Sequence, residues 1–110
     1  MSPTGTVEID IEGFAAAHSD GCFVIDCREA GEYVAGHVPD AALMPLASLG
    51  ERAAELPTDR TVYFICASGN RSLRAAQALA RAGYDAVSVA GGTMAWVASG
   101  RLVVTGERSV

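Results

Sequence analysis

Val-Tyr-Phe-Ile-Cys-Ala-Ser-Gly-Asn-Arg-Ser, residues 62–72, is the stretch whose reading decides the fold. A β-branched and aromatic run ends on Cys66, a short loop of small residues carrying Gly69 follows, and an alanine-rich helical pattern begins at Arg71. The run predicts a buried strand over 61–66. The spacing of Leu73, Ala76, Leu79 and Ala80 predicts a helix over 71–82 that Gly83 stops. A cysteine at such a strand exit has its sulfur among the free N–H groups of a helix start. Those groups and the helix dipole favour thiolate over thiol.

Outward from this unit the same alternation repeats. Short apolar runs predict strands over 6–9, 22–26, 42–44 and 86–89, and helices fall over 12–18, 29–35, 48–56 and 93–98. Strands that are apolar on both faces and separated by helices imply an α/β fold with a mainly parallel sheet covered on both sides. Ligands of such sheets bind beyond the carboxyl ends of the strands, where Asp26 and Cys66 both fall. One domain spanning 1–110 is expected, with residues 1–5 and 105–110 as loose ends.

Composition narrows the functional classes. The chain has 110 residues, half of them apolar, and a net charge of −5, which argues against disorder and against general nucleic-acid binding. The charge is uneven: residues 1–59 hold eleven of the thirteen acids and only Arg28 and Arg52 among the arginines. No acid lies between Asp59 and Asp85, where Arg60, Arg71, Arg74 and Arg81 fall, so the cysteine segment is locally positive. No secretory leader and no membrane span is expected. Three cysteines without metal-type or paired spacing suit a free thiol in a reducing cytoplasm.

Cys66 is the candidate nucleophile. The alternative, an inert core cysteine, does not account for the small, flexible residues that follow it. Ala67, Ser68, Gly69 and Asn70 are read as a cradle whose N–H groups turn inward on an anion. Arg71 either holds two oxygens of an anionic substrate or locks the loop against a carboxylate such as Asp26 or Glu29. Ser72 reads as an early helix residue in preference to a catalyst. Cys27 reads as a small half-buried residue, with a resolving thiol as the alternative. His18 is expected at an exposed helix end, His37 as a turn-fixing residue, and Trp96 in the core or at an edge.

Four segments together resemble the rhodanese family. Asp26-Cys27-Arg28-Glu29 is similar to its D-V-R-E segment, and residues 32–41 to its E-(Y/F)-x-x-G-H-I-P-G-A segment. Residues 66–72 resemble its active loop, C-x-x-G-x-R-S, and residues 91–96 its closing G-G-x-x-x-W. The resemblance implies a five-stranded parallel sheet and a sulfurtransferase with Cys66 as persulfide carrier. It implies a substrate loop of Ala67, Ser68, Gly69, Asn70, Arg71 and Ser72, with Asp26 and Arg28 in support. The implied partners are a small sulfane donor such as thiosulfate and a thiol or cyanide acceptor, with no metal or organic cofactor.

The chain departs from the family pattern at three places. Ala67 stands where many thiosulfate-using relatives carry a basic residue, Asp40 replaces a usual glycine, and Cys27 a usual aliphatic residue. Two other functions stay open within the resemblance: a sulfur-relay carrier fed by a desulfurase, and a recruitment module without catalysis. Phosphatases and arsenate reductases of related fold carry five residues between cysteine and arginine, against four here, which ranks that chemistry low.

Overall fold

The computed structural model describes residues 7–110. Five strands, β1 (Glu8–Ile9), β2 (Phe23–Asp26), β3 (Ala42–Leu43), β4 (Val62–Ile65) and β5 (Ala86–Val89), form one sheet in the order β1-β5-β4-β2-β3. Every pairing is parallel, as expected of strands without a polar face. Thr6, expected at the start of β1, lies outside the described residues.

Two side-chain layers hold the sheet. On one face Ile25, Cys27, Val62, Phe64, Cys66 and Ala86 pack against Ala75, Ala76 and Leu79 of α4 (Asn70–Arg81) and Leu49 of α3 (Leu49–Arg52). On the other, Val24, Ile65 and Val89 meet Phe14 of α1 (Ile11–Ser19) and Trp96 of α5 (Gly92–Ala98). The buried face of α4 also includes Ser72, while Leu73 and Ala80 are only half-buried, so the helix is rotated slightly from the expected face. The rotation points Ser72 at the strand end instead of at solvent.

The order of the strands makes a crevice. After β2 the chain moves outward to β3, and after β4 it moves the opposite way to β5. Loops leaving β2 and β4 therefore diverge, and the gap between them is the natural ligand site of a parallel sheet. In register Asp26 lies opposite Ile65, so Cys27 and Cys66 leave neighbouring strands side by side on the same face.

Two expectations are corrected. The span 48–56 is not one helix. It comprises 3-10 turns at Leu46–Ser48 and Ala53–Glu55 around the short α3. It has no capping side-chain bond, and Gly50 weakens its middle. The C-terminal residues are not loose: Val104 bridges His37 and the Gly106 N–H donates to the Val34 carbonyl at 2.9 Å. The Asp40 N–H donates to the Ser109 carbonyl at 2.8 Å, and His37 Nε2 lies 2.8 Å from the Arg108 carbonyl. His37 is buried and fixes this turn as expected, while His18 is half-buried, with Nε2 2.7 Å from the Pro39 carbonyl.

Candidate active site

Cys66 directly follows β4 with 1% of its surface exposed, and its sulfur faces the start of α4. The Gly69 N–H donates to Sγ at 3.1 Å and the Ser72 N–H at 3.3 Å. Ser72 Oγ lies 3.4 Å from Sγ, 3.2 Å from the Gly69 carbonyl and 2.8 Å from Ser88 Oγ. When the Ser88 hydroxyl donates to Ser72, the Ser72 proton is free for the sulfur, and a thiolate is a stronger acceptor than a neutral carbonyl.

Cys27 completes the surroundings. It is fully buried, not half-buried as expected, its thiol donates to the Ile65 carbonyl at 3.5 Å, and it sits beside Cys66 on the same face of the sheet. The neighbouring Cys27 thiol holds the Cys66 thiol down at about 4, against the opposing effect of burial; the Ser72 hydroxyl, the Ser72 N–H and the Gly69 N–H add to the lowering. The same contact, together with burial, pushes the Cys27 thiol far up. The surroundings thus favour the thiolate at Cys66 and the neutral thiol at Cys27.

The direction of the loop amides is set from behind. The Thr93 N–H donates to the Cys66 carbonyl at 2.8 Å and the Met94 N–H to the Ala67 carbonyl at 3.0 Å. In a trans peptide the N–H points opposite to the C=O of the same unit. With these two carbonyls tied to α5, the N–H groups of Ala67 and Ser68 face away from it. The N–H groups of Ala67, Ser68, Asn70 and Arg71 have no hydrogen-bond partner among the described residues. This contact needs Gly92: at φ +60, a Cβ there would sit 2.5 Å from the Cys66 carbonyl oxygen and 2.6 Å from that of Ala67. Gly69 takes φ +106 to turn the loop into α4 and is buried against Gly91.

Arg71 does not pair with Asp26 or Glu29. It makes a bidentate ion pair with Glu32 of α2 (Ala30–Ala35), at 2.7 and 2.9 Å. The Arg71 guanidinium, then the Glu29 N–H at 3.0 Å, hold the Glu32 carboxyl at about 2. Asp26 is unavailable because it is buried and saturated by Arg28, which donates from its backbone N–H and its guanidinium. Arg28 Nη2 also donates to the Gly36 carbonyl at 2.8 Å. The Asp26–Arg28 pair thus braces the β2–α2 turn that delivers Glu32. No hydrogen bond joins either residue to the 66–72 loop.

The structure brings together Cys66, Gly69, Arg71 and Ser72, with Ala67 half-buried and Ser68 and Asn70 exposed on the rim. Sequence reasoning missed three contributors: Glu32, Ser88 and Gly92 as a packing requirement. Ser88 had a signal, a buried hydroxyl in an otherwise apolar strand, Ala-Val-Ser-Val.

The family model for the rhodanese-like domain matches residues 11–99. The chain belongs to the rhodanese-like family. Within it, a sulfurtransferase of Allochromatium vinosum is 35% identical over 103 residues, covering 91% of this chain and 96% of the other. A probable adenylyltransferase/sulfurtransferase, MoeZ, of Mycobacterium tuberculosis is 42% identical over 76 residues, covering 66% of this chain and 19% of that longer protein. Among solved structures, a rhodanese-related protein from Thermoplasma volcanium superposes with a TM-score of 0.83 at 31% identity, over 88% of this chain and 96% of that one. The rhodanese-like fold expected from the four motifs, an all-parallel five-stranded sheet covered on both faces, is therefore the fold observed.

Proposed function

We propose that the protein is a sulfurtransferase that carries a sulfane sulfur on Cys66. The observation that carries this reading is the buried Cys66 sulfur, which accepts the Gly69 and Ser72 N–H groups beside loop N–H groups of Ala67, Ser68, Asn70 and Arg71 that have no other partner among the described residues. The thiolate attacks the outer sulfur of thiosulfate or of a persulfide. A new S–S bond forms to Cys66, the donor's S–S bond breaks, and sulfite or a thiolate leaves with the electron pair. The N–H groups of Ala67, Ser68, Asn70 and Arg71 then face the persulfide, while Gly69 and Ser72 keep their bonds to Cys66 Sγ. A thiol or cyanide attacks the outer sulfur and restores the thiolate, so the kinetics are ping-pong. None of these steps calls for a metal or organic cofactor.

The sulfurtransferase names of the relatives support this chemistry, and a sulfur-relay protein would serve the same step as donor or acceptor. No helix among the described residues is long and apolar enough to cross a membrane. A reducing cytoplasm is the setting in which three free cysteines persist. The test is intact mass spectrometry after incubation with thiosulfate or a persulfide, wild type beside Cys66→Ser. A gain of one sulfur in wild type only, removed by cyanide, is expected. No gain from any donor would leave a recruitment module as the better reading.

A further inference from the structure

We infer that Glu32, by neutralising Arg71, sets the donor preference of this site toward persulfides and other singly charged sulfane donors and against the thiosulfate dianion. The inference rests on the sulfur-carrier reading of Cys66 and names its donor class.

Charge around the sulfur is the argument. Arg71 is the only cationic residue in 66–72, and both arms of its guanidinium that face Glu32 are used, at 2.7 and 2.9 Å. Glu32 is itself held from a second side by the Glu29 N–H, so the pair is fixed in place. Its carboxyl keeps its charge down to about pH 2, so working pH does not release the guanidinium. The other arginine near the crevice, Arg28, is buried and spent on Asp26 and the Gly36 carbonyl. Arg74 is one turn further along α4 and exposed. At the loop position following the cysteine stands Ala67, which brings no charge.

Side-chain charge at the site therefore sums to the Cys66 thiolate alone. Thiosulfate would raise it by two further negative charges, with only backbone N–H dipoles to oppose them. A persulfide R–S–SH brings none, or one when ionised. The transfer is balanced without any oxidant: Cys66 Sγ bonds to the outer sulfur, the R–S–S bond breaks, and R–S⁻ leaves with the pair. The same loop amides serve both donors, so the side chains around them make the difference.

The experiment measures the rate of Cys66 persulfide formation by intact mass, at neutral pH and low salt, from three donors. These are thiosulfate, methanethiosulfonate, which presents a similar sulfur–sulfur bond with one negative charge instead of two, and cysteine persulfide. Each rate is divided by that of a free low-pKa thiol, which removes the intrinsic reactivity of the donor. Wild type is expected to favour both singly charged donors over thiosulfate by about tenfold or more. Glu32→Gln, which frees Arg71, and Ala67→Lys, which adds a cation and leaves the ion pair alone, are each expected to raise thiosulfate loading by about tenfold and narrow that ratio. Wild-type preference below about threefold, or a ratio that Glu32→Gln leaves unchanged, overturns the inference while leaving the carrier intact. Absence of loading from all three donors overturns both.

Discussion

Cys66→Ser keeps the size of the side chain and removes the sulfur, so the loop should close around it unchanged. Sulfur transfer should fall to background while the circular dichroism spectrum and melting temperature stay near wild type; residual turnover would move the chemistry to another thiol. Cys27 acts one residue further out, beside Cys66 on the same face of the sheet. A thiol held at about 4 is ionised throughout the neutral range. Alkylation of wild type should therefore be flat across neutral pH and decline only as pH falls toward that value. In Cys27→Ala the midpoint should rise by about one unit or more, whereas Cys27→Ser, which still donates, should stay closer to wild type. Equal profiles for all three would show that the backbone N–H groups alone hold the thiolate. At this scale the nucleophile and its loop were legible, because a strand run, a cysteine and small residues sit next to one another. Glu32 was not, since its pairing with Arg71 spans 39 positions and depends on Asp26 having been consumed by Arg28.

Between elements, the tightest joint is α5 against the active loop. Gly92→Ala places a methyl where the Cys66 and Ala67 carbonyls already are, and does so at positive φ. Strain and overpacking together should cost about 2–4 kcal/mol in urea unfolding, and sulfur loading should slow because the loop amides lose their alignment. Gly83→Ala is the matched control: φ is +98, but no atom lies within 4 Å of a Cβ there. It should cost only about 1 kcal/mol and leave loading unchanged. If both variants load sulfur equally well, α5 does not set the amides. The paired glycines at 91 and 92 were legible as a turn; their reason was not, because it is an interatomic distance across two elements remote in sequence. Likewise 48–56 reads as a helix by composition, and only the lack of caps around Gly50 shows why it breaks into short turns.

For the molecule as a whole, the tail matters more than its composition suggests. Residues 104–109 cross the 34–40 segment through backbone bonds at Val104, Gly106 and Ser109 and through His37. Ending the chain after Val103 removes several such bonds at about 1 kcal/mol each, so unfolding in urea should cost about 2–4 kcal/mol less. An unchanged midpoint would mean that the strap adds nothing to the fold. Main-chain pairing carries no side-chain pattern, which is why Thr105 to Val110 reads as a loose end. The parallel sheet, by contrast, was legible in its central strands, since strands buried on both faces are apolar along most of their length.

The tethering of two carbonyls to α5 has one more consequence. Besides the Ser72 hydroxyl and the neighbouring Cys27, the groups that grip the sulfur are main-chain N–H groups, and the side chains nearest solvent in the loop are those of residues 67, 68 and 70. Positions 67, 68 and 70 can therefore change identity over evolutionary time without dismantling the grip, so a single scaffold can be retuned among sulfur sources by substitutions that leave its stability almost untouched.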